Sequence, residues 1–182
     1  MDSLASSLDG FMQAYQDLYL SEKNGLFIQY DEKWLSPCYK EAAQQDQWVS
    51  WQPTLRDVPG QFEALEQALE MSIDPQLISY YGRYWSDNLN AQSSRGELQL
   101  LQVWNQDDFV RLQQNLVAHV LMKRRLKQAE TLFFALTDEE DFMICVDNST
   151  GQVVLEQVGL QPQEVLAKDL ATFIRTLKPL CR

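Results

Sequence analysis

The feature that most constrains this chain is a central stretch, from Leu98 to Leu136, which predicts a strand, a long helix and a second strand in succession. Its middle section repeats apolar residues at intervals of three and four, the spacing of a helix with one buried stripe. These positions are Phe109, Leu112, Leu116, Val120 and Leu121. Apolar runs on both sides of this helix predict core strands. The rest of the chain is therefore expected to pack around this unit.

Before the central stretch, the apolar spacing predicts three helices and one strand. A first amphipathic helix is expected over about 2–21, and 24–43 has the mixed composition of a long loop. A strand follows at 47–53, where Pro53 ends the alternation. Two further helices are expected over 61–71 and 75–85, the second with Asp74 as N-cap and Pro75 at its first position.

After the central stretch, the pattern predicts a hairpin and a final helix. The runs FMICVD and QVVLEQVG are joined by NSTG, with Gly151 suited to a left-handed position. Four acids at 138–141 are expected to form a solvated turn before this hairpin. The last helix is expected to begin near Pro162 and to end at Pro179.

These elements predict an α+β fold: one domain over 1–182 in which a mainly antiparallel sheet of about five strands packs with four to five helices. The core is expected to combine the central helix, the strand after it and the last helix. Its predicted members are Phe109, Leu112, Leu116, Val120, Leu132, Phe134, Leu136, Phe173 and Leu177.

The charge of the chain restricts its partners. A net charge of −11 disfavours binding to nucleic acid or to anionic lipid and favours a basic protein segment. Three cysteines without paired spacing indicate reduced thiols and not a metal or disulfide framework. The acidic start of the chain differs from a secretory signal, and no apolar run approaches the roughly 20 residues of a membrane span. We therefore expect a cytoplasmic protein.

No motif in the sequence predicts catalysis, a cofactor or a metal. The sole histidine, His119, lies in the middle of the predicted helix without a nucleophile motif to serve, so a structural role is favoured. The acids at 138–141 lack the alternating spacing and the distal glutamate of a calcium loop. A hydrolase that uses two carboxylates is the least favoured class, because such chemistry needs two acids in different environments.

One basic cluster, Lys123, Arg124, Arg125 and Lys127, ends the long helix. Its favoured interpretation is that it complements the helix dipole. The alternative is a contact with lipid phosphates or with acidic segments of a partner.

The candidate partner-binding residues are four acids. Glu63, Glu66 and Glu70 share a stripe of the helix predicted over 61–71, and Asp87 follows the aromatic segment that should return beside it. Together they are expected to form one acidic wall. Tyr80, Tyr84 and Trp85 are near in sequence, and aromatic faces beside carboxylates suit Arg and Lys side chains.

Several segments resemble the Syd family of SecY-interacting proteins from γ-proteobacteria. They are NLVAHVLMKRRLK, TLFFAL, CVDNSTGQVVLE, VSWQP and LLQVWNQDDF. The resemblance implies a SUKH-like α+β domain with a concave acidic groove. It also implies loose peripheral association with the cytoplasmic face of the inner membrane and binding to the cytoplasmic loops of the SecY translocon channel. Through this binding, a member of the family is expected to sense or restrain improperly assembled SecY. The family pattern has acids at Glu66, Glu70 and Asp87 but not at Glu63, and 24–43 matches it poorly.

A different class of function also fits the resemblance. The wider SUKH superfamily includes many immunity proteins, and an acidic immunity protein can neutralise a basic toxin. An adjacent toxin gene would favour that alternative, and its absence would favour the translocon.

Overall fold

The computed structural model describes residues 3–182, which contain five helices and eleven strands. The helices are α1 (Ser3–Lys23), α2 (Glu63–Leu69), α3 (Pro75–Gly82), α4 (Gln106–Arg125) and α5 (Leu170–Thr176). The strands are β1 (Phe27–Gln29), β2 (Trp48–Ser50), β3 (Thr54–Leu55), β4 (Tyr84–Trp85), β5 (Leu89–Ser93), β6 (Gly96–Leu100), β7 (Thr131–Thr137), β8 (Phe142–Asp147), β9 (Val153–Gln157), β10 (Glu164–Ala167) and β11 (Lys178–Pro179).

The main sheet is antiparallel and curled, with seven strands in the order β10-β9-β8-β7-β6-β5-β11. Two small sheets pair β1 with β2 and β3 with β4. The predicted α+β class is thus confirmed, although the sequence predicted only about five strands. The predicted start of the first helix at residue 2 lies outside the described residues.

The central unit is confirmed as β6, α4 and β7. Helix α4 begins after Asn105, whose side chain accepts a hydrogen bond from the N–H of Asp108 at 2.8 Å. This bond satisfies one of the backbone donors that a helix start leaves free. Phe109, Leu116 and Val120 of the helix are at most 2% exposed and belong to the hydrophobic core.

The hairpin of β8 and β9 is also confirmed. Cys145 pairs with Val154 in its middle, and Gly151 in the turn has φ +74°, a conformation that residues with a side chain seldom adopt. The acids at 138–141 lie in an exposed turn before β8, as predicted.

The final helix is shorter than predicted. The segment from Glu164 to Ala167 is not helical but pairs with β9 as strand β10, and α5 begins only after Asp169. The Asp169 carboxylate accepts a hydrogen bond from the N–H of Thr172 at 2.7 Å and fixes this start. Apolar spacing alone cannot reveal such a strand, because its hydrogen bonds come from a distant segment.

One predicted core residue, Leu136, and one residue of the predicted buried stripe, Leu121, are instead exposed. Leu136 is 43% exposed because β7 has a bulge: Phe133 pairs with Cys145, but Ala135 pairs with the adjacent Ile144. The extra residue reverses the alternation of faces, so Leu136 no longer shares the face of Leu132. Leu121 is 45% exposed and lies beside the buried stripe of α4. Leu112 is partly buried, and the other predicted core residues are buried.

Both edges of the main sheet are formed late in the chain. Strand β11 covers β5, with Pro179 opposite Ala91, and the N–H of Leu180 continues the ladder by donating to the carbonyl of Asn90 at 3.0 Å. At the other edge, β10 has an irregular register against β9, and its Glu164 forms an ion pair with Arg95 of the β5–β6 turn. This ion pair connects the two sides of the curled sheet.

Candidate functional site

The three glutamates of the predicted stripe lie at the two ends of α2. Glu63 begins the helix and is exposed, whereas Glu66 is half-buried and its Oε1 accepts the N–H of Ile73 at 3.2 Å. Glu70 follows the helix in a left-handed conformation, φ 52°. The hydrogen bond to Glu130 raises the pKa of Arg124, and the charge of the Glu70 carboxylate adds to this rise. Helix α2 packs against α4. Glu63 lies beside the start of α4, and Glu70 lies near Arg124 at its end.

Helix α4 separates two surface recesses, which we name the Glu63 recess and the Asp87 recess. In the first, Glu63 faces Gln106, Phe109, Val110 and Gln113 of α4. In the second, Asp87 faces Asp108, Arg111, Leu112 and Asn115. Each set of α4 residues has the spacing of one helix face, and the sets are offset by two residues, about 200° around the axis. The structure therefore places Glu63 and Asp87 in different recesses, and the partner-binding role of the four acids stays a prediction.

Asp87 lies beside acids that the sequence analysis did not select. Its own turn supplies one hydrogen bond, from the N–H of Asn88 at 2.9 Å. Desolvation by the surrounding recess raises the pKa of Asp87; the Asn88 bond opposes this rise and the Asp108 carboxylate adds to it. Asp31 lines the same recess. Asp108 had no sequence signal beyond its place in the first turn of α4, and Asp31 lies in the segment that was expected to be a loop.

The predicted aromatic face does not exist as expected. Tyr80 is fully buried and donates to the carbonyl of Leu101 at 2.8 Å, and Tyr84 is 7% exposed and donates to Asp9 at 2.6 Å. Only Trp85 is partly accessible, and the guanidinium of Arg56 already covers its ring at 3.8 Å. The expectation that Tyr80 and Tyr84 contact a partner is therefore wrong.

The basic cluster does not form one surface either. Lys123 is 1% exposed, and its Nζ donates to Glu156 at 2.8 Å and to the carbonyl of Leu160 at 2.9 Å. Arg124 pairs with Glu130 at 2.8 Å, which leaves Arg125 and Lys127 as the exposed members. Lys123 is seven residues beyond Leu116 on the buried stripe of α4, a spacing that could have indicated its burial.

Glu156 is the centre of a buried polar network. Its Oε1 accepts the hydroxyl of Thr131 at 2.5 Å and the thiol of Cys145 at 3.0 Å, and it lies 3.4 Å from Nε2 of His119. His119 is thus buried among structural partners. Ligand atoms of His119, Cys145 and Glu156 lie within 4.8 Å of one another, but the Lys123 ammonium occupies the other carboxylate oxygen and would repel a metal cation.

This network makes a prediction for stability in acid. Burial by itself raises the pKa of Glu156, but hydrogen bonds from His119, Cys145, Lys123 and Thr131 outweigh it and lower the pKa to about 2 from 4.5. The unfolded chain therefore takes up this proton first as the pH falls, and about 3 kcal/mol of stability should be lost between about pH 4.5 and pH 2. Urea unfolding at several pH values should show a steeper loss for the parent than for Glu156→Gln. Equal slopes would contradict the assignment.

Comparison with known proteins decides the family. The family model for Syd protein (SUKH-2) matches residues 5–179. The chain belongs to the Syd family. It is 50% identical to Protein Syd of Pseudoalteromonas atlantica over 95% of this chain and 94% of that protein. It is 47% identical to Protein Syd of Alteromonas mediterranea over 98% and 97%, and 39% identical to that of Colwellia psychrerythraea over 96% and 92%.

Membership of the Syd family confirms the resemblance seen in the sequence, and it does not favour the immunity alternative. Among the described residues, no helix combines the length and the apolar character needed to cross a membrane.

Proposed function

We propose that the chain is a non-enzymatic regulatory binding protein, one domain over 1–182, which binds basic cytoplasmic loops of the SecY translocon channel. Its acidic surface comprises Glu63, Glu66, Glu70 and Asp87, which lie in or near the two recesses beside α4. By binding there it senses or restrains improperly assembled SecY. It associates peripherally with the cytoplasmic face of the inner membrane through this partner.

The observation that carries the proposal is the placement of acids on both flanks of α4 in a chain of net charge −11. Exposed Asp107 in the first turn of α4 lies between the two recesses. A basic segment that crosses the start of this helix would meet Glu63, Asp107 and Asp87, while Arg56 and Arg111 are the cations that line the two recesses. Cytoplasmic loops of membrane proteins are enriched in Lys and Arg, so they have the complementary charge.

Electrostatic steering should dominate this recognition. A single exposed ion pair contributes only about 0.2–1 kcal/mol, so affinity requires several contacts at once. Charges of one sign on a surface accelerate association with an oppositely charged partner, and salt screens this effect beyond about 8 Å. Association with SecY should therefore slow as salt rises, by more than dissociation accelerates.

The proposal is tested by Glu63→Lys/Glu70→Lys, measured as binding to purified SecYEG in nanodiscs at low salt. We expect association to slow about tenfold or more, because the local potential reverses in sign. The thermal midpoint should stay near that of the parent, since both residues are exposed. Glu66 is kept unchanged because its carboxylate supports the N–H of Ile73.

The matched control is Glu139→Lys/Glu140→Lys, which makes the same charge change in the exposed turn before β8. This control should retain most of the association rate. Parent-like binding by the α2 variant, or an equal loss in the control, would show that the acids beside α4 are not the site. A parent chain that fails to bind SecYEG at all would contradict the proposed function itself.

A further inference from the structure

Helix α4 has a second stripe of mainly apolar residues, on the face that points away from the core. Val110, Gln114, Val117 and Leu121 follow one another at intervals of four, three and four residues, the spacing with which one helix packs along another. Val110 and Leu121 are 43% and 45% exposed, Gln114 is exposed and Val117 is half-buried. We name these four residues the outer seam of α4.

The two ends of the outer seam have opposite and unpaired charges. Asp107 lies before the seam in the first turn of α4, and Arg125 lies after it in the last turn. Both are exposed, and neither forms an ion pair with another residue of the described chain, whereas the adjacent Asp108 and Arg124 are both paired. Asp107 and Arg125 are 18 residues apart. Since an α-helix has 3.6 residues per turn, the two side chains project from the same side of α4.

The outer seam and its charges are nearly symmetric about Leu116. Asp107 and Arg125 each lie nine residues from it, and Val110 and Leu121 lie six and five residues from it. When two copies of α4 pack antiparallel around a two-fold axis beside this position, Asp107 of each copy faces Arg125 of the other. Val110 of each copy then faces Leu121 of the other. At a rise of 1.5 Å per residue the paired length is about 27 Å.

A second copy fits this surface better than a purely basic segment does. A basic segment that follows the seam would be attracted to Asp107 but repelled by Arg125. A second copy supplies the opposite charge at both ends and apolar side chains between them. The two Gln114 side chains lie close to the axis, where a polar pair can fix the register of two packed helices.

We infer that the outer seam is a homodimer interface, in which two copies pack α4 antiparallel around a two-fold axis beside Leu116. A single pair of helices is small among protein interfaces, so the dimer is weak and forms at high protein concentration. This self-association does not rest on the proposed function. Because Asp107 lies between the two recesses, the dimer also covers the start of α4.

Sedimentation equilibrium of the full chain tests the pairing of charges. The salt is kept near 150 mM, where the repulsion between two chains of net charge −11 is screened beyond about 8 Å. We expect Asp107→Arg and Arg125→Asp each to raise the dimer dissociation constant about tenfold, because the two-fold axis repeats every change. The combined variant Asp107→Arg/Arg125→Asp restores opposite charges, and it should return to within about threefold of the parent.

A second pair of variants tests the apolar part of the seam. Leu121→Ser removes an apolar contact on each side of the axis and should also raise the dissociation constant about tenfold or more. Leu20→Ser is the matched control, because Leu20 is a 63% exposed leucine on a different helix, α1. This control should dimerise like the parent.

Cross-linking tests the antiparallel arrangement. In a Cys181→Ser background, Gln114→Cys places a thiol about 6 Å from its copy along the axis, within reach of a short bis-maleimide. Gln106→Cys makes the same change at the start of α4, where the two copies are about 30 Å apart and should not be joined. The cross-linked Gln114→Cys dimer should bind SecYEG more weakly than its monomer, an expectation that alone rests on the proposed function.

A chain that stays monomeric at high concentration overturns the inference, as does a dimer that none of the seam variants weakens. Efficient cross-linking of Gln106→Cys would mean a parallel or different packing and would also overturn it. In each of these cases the parent could still bind SecYEG, so a failure of the dimer is distinguishable from a failure of the proposed function.

Discussion

Replacing Lys123 by Met is expected to lower the free energy of unfolding by about 3–5 kcal/mol, as is typical when one partner of a buried ion pair is removed. The Lys123 ammonium and the Glu156 carboxylate are each 1% exposed and are 2.8 Å apart. The variant leaves a buried negative charge without its cation and also loses the donor to Leu160. Urea unfolding followed by circular dichroism near neutral pH measures the loss.

Two further variants separate the ion pair from ordinary packing. Arg125→Met changes an exposed cation two residues further along, and it should stay within about 0.5 kcal/mol of the parent. Lys123→Met/Glu156→Gln should regain part of the loss, because the stranded charge disappears while an acceptor for Thr131 remains. If the double variant loses as much stability as Lys123→Met and Glu156→Gln lose together, the Lys123 and Glu156 side chains are not coupled.

Replacing Leu116 by Ala should lower the free energy of unfolding by about 2–5 kcal/mol. Leu116 has no exposed surface and lies at the centre of the buried stripe of α4. Its removal leaves a cavity beneath a long helix that cannot collapse onto the space. The same urea experiment measures this loss.

Leu121→Ala is the matched control for Leu116, since it makes the same chemical change on the same helix. Leu121 is 45% exposed, so its replacement should change stability by no more than about 0.5 kcal/mol. Similar losses for the two variants would mean that α4 does not bury the face that contains Leu116.

How far the sequence predicts this fold depends on the range of the interactions. Helix α4 and the β8–β9 hairpin are correctly predicted because their signals, apolar spacing and a turn at Gly151, lie within a few residues of the element. Strands β5, β10 and β11 are not predicted. Each depends on pairing with a distant segment, as in the pairing of Ala91 with Pro179.

The candidate site shows the same limit. Charge patterning correctly selects exposed acids such as Glu63, but it cannot reveal that α4 lies between Glu63 and Asp87. It also grouped Lys123 with three other basic residues that complement the helix dipole, and it did not reveal that Glu156 binds Lys123 in the interior.

The two edges of the main sheet have a consequence for recognition. An unprotected edge strand can be extended by the backbone of another chain, a mode of peptide binding known as β-augmentation. Here one edge ends in Lys178 and Pro179, and proline has no N–H to donate. The other edge combines the irregular register of β10 with the charge of Glu164. The main sheet therefore resists extension by a peptide strand, and a partner has to be recognised mainly through side chains and not through a shared ladder of main-chain hydrogen bonds.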